Sequence, residues 1–123
     1  SRPDPRTGLA GIVAPMDLRC RPATFGDLPA LVLDGDVDLG SVPTLHTALV
    51  RLVADHRGHT VAVDLDSVEV RDDAGTGVLL GAAGRAREAG GDLVLVCTNP
   101  RLLARFDLSG LARAIEVRDR LSG

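Results

Sequence analysis

Two short runs, TVAVDL at 60–65 and GGDLVLVC at 90–97, constrain this chain more than anything else in it. Each is apolar and rich in β-branched residues, the pattern of a strand buried on both faces. Between them lies a helix-length segment, AGTGVLLGAAGRAREA at 74–89, with Val78, Leu79, Ala82 and Ala86 on one stripe. Strand, helix and strand in that order call for a crossover, so the centre of the fold is a βαβ unit in a parallel sheet.

The flanking segments extend that unit in both directions. LRCRP at 18–22 and ALVLDGDV at 30–37 read as two strands of a hairpin, separated by a Gly-Asp turn. In SVPTLHTALVRLVAD the residues Val42, Leu45, Leu49, Leu52 and Val53 recur at helical spacing, with Ser41 placed as the cap and Arg57-Gly58-His59 as the stop. Pro100 opens a short helix, PRLLARFDL, that Gly110 ends, and AIEV at 114–117 is a last short strand. The expected class is α/β: a mixed, largely parallel sheet of about five strands with helices packed on it, in the order β-β-α-β-α-β-α-β. Residues 1–15 read as a flexible lead-in and 16–123 as one domain, in which RDRLSG could only begin a final helix.

A chain of 123 residues is one domain, large enough to bury roughly two-thirds of the surface its unfolded form exposes. Phe25 and Phe106 are its only aromatics, so the core is aliphatic. Single-stranded nucleic acid is held on aromatic platforms in a basic groove; with two aromatics and a net charge of −3, nucleic acid is not an expected partner. All 14 basic residues are arginine. Mechanisms built on a lysine nucleophile, Schiff base or P-loop lysine are therefore closed to it. No run approaches the length of a membrane span, and the apolar stretch near the N-terminus is broken by Gly11 and Pro15, too short for a secretory signal. The expectation is a cytoplasmic protein in which Cys20 and Cys97, both in apolar strand-like runs, are reduced structural thiols.

Several constellations invite a chemical reading. In VAVDLDSV at 61–68, Asp64 and Asp66 follow an apolar strand as Asp-x-Asp, similar to the opening of a haloacid-dehalogenase phosphotransferase. That chemistry also needs a basic residue on the phosphate and a distal acidic pair for Mg²⁺, and the chain has no lysine; a solvated turn is the simpler account. His46, His56 and His59 lack zinc-type spacing, and the cysteines lie far from them in sequence. GTGVLLG matches no phosphate-cradling fingerprint. No catalytic residue, metal or cofactor is expected. The adjacent Asp72 and Asp73 stand just before the 74–89 helix, where a carboxylate can accept backbone N–H bonds and meet the positive end of the dipole.

Three motifs in register resemble the STAS domain family of anti-sigma factor antagonists, over about residues 16–118. LDGDVD at 33–38 is similar to the family's Gly-Glu-Leu-Asp turn after the second strand. VAVDLDSVEVRDDAGTGVLLGAAGRA resembles its strand, Asp-Ser-Ser-Gly-Leu-Gly and helix. VCTNPRLLARFDLSGLARAIEV resembles its ending through Pro100, Phe106, Ser109, Gly110 and Leu111. The resemblance implies a protein that binds an anti-sigma factor, often one with a serine-kinase fold, and so releases a sigma factor. In the family the kinase phosphorylates the serine directly after the loop aspartate, and the added charge breaks the contact.

Carried over residue by residue, the match has a departure at its centre. Asp72 matches the family aspartate, but Asp73 stands in the place of the phosphorylatable serine and Ala74 replaces the second serine. Gly75 and Gly77 match, while Thr76 replaces the usual leucine. The expected partner surface comprises Asp36, Asp38 and Ser41, the loop Asp72, Asp73, Ala74, Gly75, Thr76 and Gly77, and the exposed face of the helix behind them. Asp38 and Asp72 would shape it, Asp73 would set its charge, and Gly75 and Gly77 would admit a partner's backbone. Neither Thr76 nor Ser67 occupies the acceptor position. Asp73 either mimics the phosphorylated state or meets a partner that accepts a carboxylate. A small-ligand or nucleotide sensor on the same fold is the alternative, and the oligomeric state, monomer or weak dimer, is open.

Overall fold

The computed structural model describes residues 17–120. The expected lead-in at 1–15 and the end of RDRLSG lie outside them. Five strands form one sheet: β1 (Arg19–Phe25), β2 (Leu28–Val37), β3 (Thr60–Val70), β4 (Asp92–Val96) and β5 (Glu116–Arg118). Their order in space is their order in the chain, β1-β2-β3-β4-β5. β1 runs antiparallel to β2 across the Gly26-Asp27 turn, and the other neighbours are parallel. The mixed α/β class, the antiparallel first strand and the βαβ centre are as the sequence indicates.

Four helices connect the strands: α1 (Val42–Asp55), α2 (Ala74–Glu88), α3 (Pro100–Ser109) and the single turn α4 (Leu111–Ala114). Parallel neighbours that always step the same way across a sheet, each by a right-handed crossover, put their helices on one face. The main core accordingly joins Leu45, Leu49, Leu79, Ala82, Ala86, Phe106 and Leu111 to the inward strand residues Leu31, Leu33, Val63, Leu93 and Leu95. A smaller cluster of Ala30, Ala62, Val94 and Val96, which holds no helix residue, occupies the reverse face. Each fully buried leucine is worth about 1.5–3 kcal/mol.

Three local readings need correction. β3 does not end at residue 65 but runs to Val70, because Ser67 to Val70 continue pairing with β2 alone beyond an irregularity opposite Leu33. Asp64 and Asp66 are therefore mid-strand residues and not a solvated turn. Ser41 does not cap α1 with its side chain; it closes a 3₁₀ turn over Leu39–Ser41, where Asp38 is the cap. The chain between Gly110 and β5 is the extra helix α4, which moves the last strand to Glu116–Arg118.

Candidate functional site

Two loops leave the same end of the sheet, one after β2 and one after β3, and two aspartates, Asp36 and Asp72, tie them together. Asp36, the penultimate residue of β2, is 3% exposed, and its Oδ2 accepts from Arg71 Nε at 2.9 Å. A buried carboxylate needs a cation, and Arg71, the residue before Asp72, supplies one. The Arg71 N–H also donates to the Val37 carbonyl at 2.9 Å, which fixes the direction in which the second loop leaves.

Asp38 and Ser41 form a reciprocal capping box. Asp38 Oδ1 accepts the Ser41 N–H and Ser41 Oγ accepts the Asp38 N–H, both at 3.0 Å. This turn places Leu39 outward, 73% exposed. Asp72 then joins the two loops: Oδ2 accepts the Leu39 N–H at 3.0 Å and Oδ1 the Ala74 N–H at 2.9 Å. Of the adjacent aspartates, Asp72 is the one that satisfies an orphan donor of α2. Asp73 occupies the cap position itself, yet its side chain makes no capping bond. It points outward, 78% exposed, with its Oδ1 3.1 Å from Arg105 Nη2 of α3.

The residues behind the loop divide between core and surface. Gly75 is buried, and a Cβ there would sit 2.4 Å from Val37 Cγ1. Its missing side chain lets α2 close on β2. Ala74 and Thr76 are half-buried, and Thr76 borders a small apolar cavity with Val37, Leu45 and Leu79. Gly77 is exposed and Gly84, two turns on, is half-buried; neither has an atom within 4 Å of where a side chain would begin. An open cleft of about 750 Å³ lies between the loops, lined by Asp17, Asp36, Asp38, Ser41, Arg71 and Asp72 among others. Its lining is acidic.

The Asp-x-Asp pair lies elsewhere, in a polar cleft with Arg21, Ser67, Thr98 and Arg120. Asp64, almost fully buried, accepts from Arg120 through Oδ2 and from the Asp66 N–H through Oδ1. Asp66 accepts from the Thr98 N–H at 2.6 Å and the Thr98 hydroxyl at 3.0 Å. Burial pushes the Asp66 carboxyl up, but the Thr98 donors and Arg120 outweigh it and hold the group below the usual carboxylate range. These carboxylates are occupied in tying β3 to the β4–α3 connection and to the segment after β5. Among the described residues no three metal-ligating side chains converge, and no helix is long and apolar enough to cross a membrane. Burial pushes the Cys97 thiol up to about 11 and raises that of Cys20, and both are free.

Arg71 and Arg105 escaped the sequence reading. Arg71 was discoverable, since a basic residue beside an acidic loop pair is a natural counter-ion. Arg105 was not, because only the fold brings α3 to the start of α2.

Comparison with known proteins places these features in a family. The chain matches the STAS domain over residues 22–122. It is 32% identical over 89 residues to the anti-sigma-B factor antagonist of Bacillus subtilis, covering 72% of this chain and 80% of that protein. The anti-sigma-B factor antagonist of Listeria monocytogenes is 31% identical over 85 residues, 69% of this chain and 74% of that one. The fold is shared with an anti-sigma factor antagonist from Mycobacterium paratuberculosis, at a TM-score of 0.72 and 20% identity over 86% of this chain and 89% of that one. It is shared too with the unphosphorylated anti-sigma factor antagonist SpoIIAA, at 0.65 and 19%, over 83% and 86%. The model of the family covers most of the chain and the curated relatives exceed 30% identity: this chain belongs to the STAS domain family.

Proposed function

We propose that this chain is a non-enzymatic interaction domain that binds an anti-sigma factor in the cytoplasm and thereby frees a sigma factor. The observation that carries the reading is the Asp72 bridge, which presents the 38–41 and 72–77 loops as one rigid surface at the start of α2. Relatives of this chain bear the name anti-sigma-B factor antagonist. Two glycines of α2 add support. Gly77 and Gly84 each cost about 1 kcal/mol of helix stability relative to alanine, yet among the described residues no atom takes the space they leave. A partner lying close along α2 is a reason to keep them.

In this reading Asp73 stands where other members carry the phosphorylated serine, so no kinase controls the contact at that position. The partner is an anti-sigma factor whose surface accepts a carboxylate there. The deciding experiment is calorimetric titration of the natural chain, and of Asp73→Ser, with each anti-sigma factor of its genome, serine-kinase types included. Binding by the natural chain supports an antagonist with control placed elsewhere. Binding by Asp73→Ser alone means that Asp73 holds the protein off. If neither binds, the antagonist reading fails.

A nucleotide or other small anion in the same cleft is opposed by its lining, where Asp17, Asp36, Asp38 and Asp72 face one arginine. Thermal-shift screening with GTP, ATP and phosphate separates the readings, because a ligand at 100 times its Kd stabilises by about 2.7 kcal/mol.

A further inference from the structure

Asp73 and Arg105 stand 32 positions apart in sequence, and the fold sets their charged atoms at 3.1 Å. Arg105 comes from α3, an element outside the two loops and α2. It is half-buried, and Leu108, one turn further along α3, is 90% exposed. Leu39, whose N–H is held by Asp72, is 73% exposed. Position 73 thus carries a closed ion pair, and each of the two elements bonded to this loop, the Leu39 turn and α3, presents one exposed leucine.

An ion pair this open to solvent does little for the free protein. Its effect changes when a partner excludes water. A lone carboxylate in a dry interface loses its hydration with nothing in return, whereas one already bonded to a guanidinium keeps a partner. Both charges here belong to the same chain, so the partner need supply neither. We infer that Arg105 is a specificity-determining residue of the partner surface. It neutralises Asp73 from within, extends the surface onto α3, and fits position 73 to an uncharged, apolar patch of an anti-sigma factor. This rests on the antagonist reading above and identifies the kind of partner it requires.

The test is a double-mutant cycle of Asp73→Ser and Arg105→Ala, titrated calorimetrically with purified anti-sigma factors of the same genome. With the factor that binds the natural chain, Arg105→Ala should weaken affinity by about tenfold or more while moving Tm by no more than about 2 °C. The double variant should regain most of the loss. Arg105→Ala binding as well as the natural chain overturns the inference, and so does a double variant as weak as Arg105→Ala. Binding by Asp73→Ser alone overturns it while leaving the antagonist reading intact; no binding by any form removes both. An arm without a partner follows the Arg105 guanidinium signals by NMR. They should shift on Asp73→Asn, and unmoved signals overturn the ion pair itself.

Discussion

The Asp72 carboxylate holds the Leu39 N–H at 3.0 Å with one oxygen and the Ala74 N–H at 2.9 Å with the other. One side chain thereby fastens the loop after β2 to the first turn of α2. Replacing it with alanine strips two donors of their acceptor. Asp72→Ala should cost about 1–2 kcal/mol, read from urea unfolding. Asp72→Asn, which retains one acceptor oxygen, should lose less.

The glycines of α2 should separate by sign. At Gly75 a methyl group would press into Val37 Cγ1, on a β-branched side chain that is stiff at χ1. Gly75→Ala should destabilise by about 1–3 kcal/mol. Gly84 meets nothing within 4 Å, so Gly84→Ala should stabilise by about 0.5–1 kcal/mol. Should the proposed partner surface be correct, the same Gly84→Ala substitution weakens anti-sigma factor binding; thermal unfolding and calorimetry together check both halves.

Asp66 should leave a mark on the acid limb of stability. Its carboxyl is held below the ordinary 3.8 by the Thr98 donors and Arg120 against the opposing effect of burial. A depressed folded-state value means that the contribution is complete above the unfolded value and is lost as pH falls through the folded one. The difference in urea midpoint between the natural chain and Asp66→Asn should therefore be largest above about pH 4 and shrink below it. A constant difference down to pH 2 would show that ionisation is not what stabilises.

Cys97 should be inert in the native state. With its thiol pushed up to about 11, about one molecule in a thousand carries the thiolate at pH 8, and the side chain is buried besides. Alkylation by iodoacetamide followed by mass spectrometry should modify Cys20 first and Cys97 only under denaturing conditions.

What the sequence made legible is what local pattern encodes. The runs at 60–65 and 90–97 announced two buried strands because burial on both faces removes polar alternation, and the helices showed as 3.6-residue periodicity. β3 was read short because DSVEV is a strand with only β2 for a partner, so its composition is that of an edge. α4 escaped because one turn carries no period. That one of Asp72 and Asp73 caps α2 was recognisable from their place, but which of them was not, nor was the bond from Asp72 to Leu39. That bond, like Arg71 to Asp36 and Arg105 to Asp73, joins residues more than 30 positions apart, and no spacing rule reaches so far.

The strand order along the sheet matches the order along the chain, and this governs how the protein can assemble. Every strand docks onto the one completed before it, and the widest gap any pairing must close, between Val37 and Thr60, is spanned by α1. A single crossover per pairing is as local as a largely parallel sheet can be, and mixed α/β domains fold at rates between those of helical bundles and all-β folds. This order also lets the sheet grow edge by edge as the chain leaves the ribosome, with no strand waiting for a distant partner still to be made.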